Sequence, residues 1–178
     1  RFVKDSKIRI MPDVHAGKGC TIGTTMTIGD YIVPNLVGVD IGCGMLTVAL
    51  KEKRINLPEL DSFIRKNIPA GRDVRERTHR SHGRIDIEEL RCYKHIDARR
   101  AKESLGTLGG GNHFIEVDKD DEGNLYLVIH TGSRNLGLRV ADYYQEKAYK
   151  AVGGKSQSEI PYELAYLTGG DKADYLHD

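Results

Sequence analysis

Apolar and polar residues alternate along 7–15, Lys-Ile-Arg-Ile-Met-Pro-Asp-Val-His, which predicts a strand that meets a turn. Asp13 and His15 share one face of that strand if its pleat continues past Pro12. Residues 16–44 hold only short apolar pieces between glycines, and Met45–Leu50 predicts a buried strand. Leu57, Leu60, Ile64 and Ile68 recur at helical spacing behind Asn56, a cap residue, with Pro58 in the first turn. Residues 69–84 are polar and read as a loop, and Asp86 is placed to cap a helix running to about Leu105. His113–Val117 and Leu125–His130 flank Asp-Asp-Glu-Gly-Asn and predict a hairpin. A symmetric loop over 119–124 pairs Asp118 with Leu125 and sets His113 opposite His130, with Phe114, Leu127 and Ile129 on the other face. Asn135 then caps an amphipathic helix from Leu136 to about Val152, with Val140, Tyr143, Tyr144 and Ala148 on its apolar side and Gly153-Gly154 at its end. Beyond it the pattern is mixed. The fold class this order predicts is α+β, with mixed or antiparallel sheets, loop-borne ligands and peripheral helices in a single domain.

Composition sharpens the picture at the glycines. Fourteen of the 20 fall in the windows 17–44 and 106–137, which suits tight turns or backbone approaching a ligand. No apolar run reaches the length of a membrane span and no signal-peptide pattern is present. Three scattered cysteines suit cytoplasmic thiols or ligands better than a disulfide framework. The net charge of +1 hides a local excess: 64–102 carries twelve Lys/Arg against six Asp/Glu. Aromatics are nearly absent there, so a stacking platform for single strands is not supported, and a solvated face explains most such runs.

Several residues have the chemistry of a metal site. Asp40 and Cys43 lie three apart in a glycine-hinged loop, and His113 and His130 converge if the hairpin forms as above. Together they offer two nitrogens, one sulfur and one oxygen, and a thiolate can bridge two ions. Gly109-Gly-Gly-Asn112 offers bare backbone N–H groups to an anion but is neither a Walker loop nor a dinucleotide fingerprint. Thr131, Ser133 and Arg134 add donors beside His130, and Arg134 suits bidentate phosphate contact. His79, His82 and His95 read as surface residues, and Cys20 and Cys92 as structural.

Four segments in one order carry a resemblance: Met11-Pro-Asp-Val-His-Ala-Gly17, Val37-Gly-Val-Asp-Ile-Gly-Cys-Gly44, Gly109-Gly-Gly-Asn-His-Phe-Ile-Glu116 and His130-Thr-Gly-Ser-Arg134. The chain resembles the RtcB-type RNA-splicing ligases over 11–134. That resemblance implies an enzyme joining an RNA 3′-phosphate or 2′,3′-cyclic phosphate end to a 5′-hydroxyl end, in tRNA splicing or RNA repair. It implies GTP, two Mn²⁺ ions and a guanylylated histidine. Asp40, Cys43 and His113 would hold one ion, and Cys43 would bridge to a second held by His130. Asn112, His113, Phe114, Ile115 and Glu116 would contact GTP, Ser133 and Arg134 RNA or phosphate, and Asp13 would orient or deprotonate the nucleophilic histidine. Softness of the thiolate argues for Zn²⁺ over Mn²⁺. The family's guanylylated histidine and a further metal histidine have no counterpart here, since only His177 follows His130. The expectation is therefore an incomplete catalytic domain, inactive alone, with any activating protein unspecified. A dinuclear phosphoesterase and a non-catalytic RNA- or metal-binding module remain alternatives.

Overall fold

The computed structural model describes residues 3–154 and 159–178. It is α+β, with two antiparallel sheets and helices. The chain forms two compact units: one from 1–39, 88–96 and 138–178, the other from 40–87 and 97–137. No described helix is long and apolar enough to cross a membrane.

In the first unit, β1 (Ile8–His15) pairs with β2 (Ile22–Met26). The strand runs on through Pro12, where a turn was expected to begin. The pairing shifts between Ile10 and His15, so the proline sits in an irregular stretch where a missing N–H costs no ladder bond. Short helix α1 (Pro34–Val37) follows. The unit's core gathers around the long helix α4 (Asn135–Ala151), whose Val140, Ala141, Tyr144 and Ala148 are buried with Ile32, Val33, Ala165 and Leu167. This is the apolar side the spacing predicted, apart from Tyr143, which is half-buried. The helix includes Asn135, so the residue before it is Arg134, in a left-handed conformation (φ 61), and not an asparagine cap.

In the second unit, β3 (Gly44–Ala49), β4 (Phe114–Lys119) and β5 (Leu125–Thr131) form a sheet in the order β3-β5-β4. The hairpin forms, but its register differs by one residue from the symmetric reading: Phe114, not His113, pairs with His130, and Ile115 with Ile129. The turn is the reason. Gly123 N–H donates to the Asp120 carbonyl (3.0 Å), Asp120 N–H donates to the Asn124 carbonyl (3.1 Å), and Gly123 is left-handed (φ 83). Three residues, not six, therefore make the loop, the arrangement of a type I turn followed by a left-handed glycine. Ile115 and Val117, rather than Phe114, oppose Ile129 and Leu127.

Two further expectations change. The strand predicted as buried, β3, is exposed along its whole length, with Met45 at 59% and Leu46 at 57%. It pairs on one side only, with β5, so an apolar sequence here marks an edge and not an interior. The helix expected over 86–105 is instead two single 3₁₀ turns, Ile87–Glu89 and Tyr93–His95, followed by α3 (Ala98–Ser104). Backbone N–H groups of Arg91 and Cys92 donate to the Asp178 carboxylate (2.7 and 2.9 Å), and so leave the helical ladder. Asp97 then caps a fresh start, accepting from Arg100 N–H at 2.9 Å. Helix α2 (Leu57–Asn67) forms as predicted, with Asn56 accepting from Glu59 N–H at 3.3 Å. The last helix, α5 (Gly169–His177), lies where no pattern was read.

Candidate metal centre

The loop Asp40–Cys43, the turn before β4 and the end of β5 all belong to the second unit, and they bring three ligand-type side chains together. Cys43 Sγ lies 2.8 Å from His130 Nε2 and 3.7 Å from His113 Nε2. The imidazole rings meet edge to face, centroids 5.3 Å apart. The Cys43, His113 and His130 ligand atoms lie within 4.8 Å of one another, and they form the single such His/Cys/Asp/Glu cluster among the described residues. A tetrahedral ion bound at ~2.3 Å to sulfur and ~2.0 Å to nitrogen would hold such atoms about 3.5 Å apart, so small side-chain shifts suffice. Asp40 Oδ1 stands 3.9 Å from His113 Nε2, on a carboxylate 56% exposed. The donor set therefore fits a divalent ion held by Cys43, His113 and His130 with Asp40 alongside.

Backbone architecture explains the convergence despite the changed register. Pairing of β3 with β5 sets Met45 opposite His130 and Gly44 opposite Thr131, which carries Cys43 to the same end of the sheet. His113 precedes β4 and is aimed by its other nitrogen: Nδ1 lies 3.0 Å from the Leu108 carbonyl. A proton at Nδ1, donated to that carbonyl, leaves Nε2 as the lone pair facing Cys43. The same carbonyl accepts from Thr131 Oγ1 at 2.7 Å. Gly132 lets the loops close, because a Cβ there would lie 2.9 Å from Cys43 Cα. Burial pushes the Cys43 thiol above its ordinary value, and neighbouring Asp40 adds to the rise. Thr131 was read as a donor beside His130, whereas Leu108 was not singled out, since a carbonyl acceptor leaves no residue-type signal.

The remaining sequence-predicted residues take varied places. The Ser133 hydroxyl donates to the Ile41 carbonyl and so ties the Asp40–Cys43 loop to the turn after β5. The Arg134 guanidinium donates to Thr107 Oγ1 (3.2 Å) and to the Gly71 carbonyl. Phe114 packs edge-on against His130, centroids 5.3 Å apart, while Asn112 and Glu116 are exposed and Ile115 is half-buried. Asp13 lies in the first unit, exposed on β1. His79 and His82 bond locally, His82 Nδ1 to the His79 carbonyl at 3.1 Å, and His95 stacks on Tyr143 at 4.4 Å. Cys92 is fully buried, as a structural thiol would be.

An α+β protein with a thiol–imidazole cluster at the end of an antiparallel sheet belongs among candidate metalloproteins. Family comparison narrows this. The sequence model of the tRNA-splicing ligase RtcB family matches residues 3–89 and 74–178, and the chain belongs to that family. It is similar to an RNA-splicing ligase RtcB of Escherichia coli, 34% identical over 95% of this chain and 47% of the relative. A tRNA-splicing ligase RtcB of Nanoarchaeum equitans is 30% identical over 79% of this chain and 41% of its own length. An RNA-splicing ligase RtcB homolog of Entamoeba histolytica is 28% identical over 86% of this chain and 39% of its own. The chain thus spans about half the length of the curated relatives it matches.

Proposed function

We propose that this chain is the metal-holding portion of an RNA ligase that joins 3′-phosphate or 2′,3′-cyclic phosphate ends to 5′-hydroxyl ends, with GTP and Mn²⁺ as cofactors. The observation that carries the reading is the Cys43–His113–His130 cluster in a chain of the RtcB family. Divalent ions held there would neutralise phosphate charge and align the reacting groups.

The chain's own residues supply the geometry. Cys43 lies within reach of both imidazoles and would bridge two ions, one shared with Asp40 and His113 and one with His130. The Leu108 carbonyl keeps the His113 lone pair aimed inward. Asn112 to Glu116 would hold the guanine nucleotide beside the glycine run, and Asp13 would orient the nucleophilic histidine. Ser133 and Arg134 would offer donors to phosphate.

An end-joining assay tests this. The gene product carrying this chain, given GTP, Mn²⁺, one RNA ending in a 2′,3′-cyclic phosphate and another beginning with a 5′-hydroxyl, is expected to yield the joined strand. Cys43→Ala is expected to abolish it. Removal of the end phosphate with no joined product would instead identify a phosphoesterase.

A further inference from the structure

The charge excess over 64–102 has a definite location in the fold. An open groove of about 900 Å³ runs along the second unit between the end of α2 and the loop after it. Arg65, Lys66, Arg72, Arg75 and Arg77 line it, against Asp73 and Glu76. Two of the five cations are committed: Arg65 to Asp61 (2.8 Å), and Arg75 to the carbonyls of Leu105 and Gly106. The side chains of Lys66, Arg72 and Arg77 have no hydrogen-bond or ion-pair partner among the described residues, and all three residues are exposed. Five cations against two carboxylates leave the groove lining net positive, and three of the cations are unpaired among the described residues; a polyanion relieves their mutual repulsion while releasing its own counterions. No aromatic side chain lines the groove, so it offers contacts to phosphates and none for stacking bases.

The groove is also joined to the metal centre within the same unit. Gly71, next to Arg72, donates its N–H to the Gly109 carbonyl (2.8 Å). Its own carbonyl accepts from Arg134. A Cβ at Gly109 would collide with both Arg134 and His113, so the ligand histidine sits directly against this glycine. One hydrogen-bonded step thus separates the backbone that begins the basic groove from the backbone that seats His113.

We infer that this groove is a track for the sugar–phosphate backbone of the RNA strand whose end lies at the metal centre, read without regard to sequence through Lys66, Arg72 and Arg77. The inference rests on the RNA-ligase reading above and adds where the body of the strand runs. The test is binding of a fluorescent 3′-phosphorylated 12-nucleotide RNA to the 178-residue chain by anisotropy, over a range of salt concentrations. Each phosphate contact on a single strand contributes a slope of about −0.7 in log K against log salt. The Lys66→Gln/Arg72→Gln/Arg77→Gln variant is expected to show a slope shallower by about 2 and binding about a hundredfold weaker at 0.1 M salt. Lys51→Gln/Arg54→Gln, outside the groove lining, is expected to change neither by a comparable amount. Cobalt(II) absorption through the Cys43 thiolate checks that the triple variant is folded. If it is not, Lys66→Gln and Arg77→Gln singly are each expected to flatten the slope by about 0.7. A folded variant with the wild-type slope overturns the inference while leaving the ligase reading intact. Absence of any RNA binding by the wild-type chain counts against both.

Discussion

Leu108 contributes no side chain to the candidate metal centre, yet its carbonyl oxygen accepts from His113 Nδ1 and from Thr131 Oγ1. Hydrogen bonds outside the ligand sphere fix the tautomer and ring orientation of a metal histidine, and losing one typically weakens metal binding by about 10–100-fold. Thr131→Val removes one of the two donors and leaves the ligand set unchanged. Cobalt(II) titration is expected to show affinity lower by about tenfold, with Thr131→Ser restoring it. Cys43→Ala is expected to erase the thiolate-to-cobalt absorption altogether. The cluster of Cys43, His113 and His130 was legible in the sequence, because Cys and His in glycine-rich loops are few. Their supports were not, since carbonyl acceptors are common to every residue type. Arg134 illustrates the other limit: its spacing does not reveal that the guanidinium already donates to Thr107 and Gly71.

At the scale of elements, the β4–β5 hairpin was legible in existence and ambiguous in register. Asp-Asp-Glu-Gly-Asn admits both a six-residue loop and a three-residue loop, and only the left-handed Gly123 (φ 83) chooses between them. Gly123→Ala is expected to lower stability by about 1 kcal/mol in urea denaturation, because an L residue resists that conformation. Asp120 fixes the same turn by accepting from Asn124 N–H (2.7 Å), Asn124 Nδ2 (2.9 Å) and the Tyr126 hydroxyl (3.0 Å). The Asn124 side chain leads in holding its carboxyl below the usual carboxylate range. Its folded value is below its unfolded one, so its contribution is present above the ordinary carboxylate value and lost as pH falls through the lowered one. Asp120→Asn is expected to remove that acid-dependent part of the unfolding profile. The helix over 86–105 was misread for a reason of distance. Its pattern is locally helical, and the group that breaks it, Asp178, is more than eighty residues away.

At the scale of the molecule, Asp178 closes the first unit. Its carboxylate accepts from Arg91 N–H, Cys92 N–H and the Tyr144 hydroxyl (2.8 Å), and its side chain is fully buried. Burial alone would raise this carboxyl, but the hydrogen bonds outweigh it and leave the group below its ordinary value. Burial also pushes the Cys92 thiol up to about 12. Asp178→Ala strips a partner from three donors, those of Cys92 and Tyr144 part-buried, and is expected to cost on the order of 2 kcal/mol in thermal or urea unfolding. The same change is expected to make Cys92 accessible to a thiol reagent that the native chain excludes. The class of fold was legible at this scale; the exposed face of β3 was not, because an apolar run does not say which elements cover it.

The division of the chain has a consequence for its synthesis. The first unit draws on 1–39, 88–96 and 138–178, whereas the second is complete at residue 137. As the polypeptide leaves the ribosome, the portion carrying Asp40, Cys43, His113 and His130 has all its parts before the helix core of the other portion exists. On the proposed metal-site reading, an ion taken up there while α4 is still being made would hold the β3–β5 edge in place for everything translated afterwards.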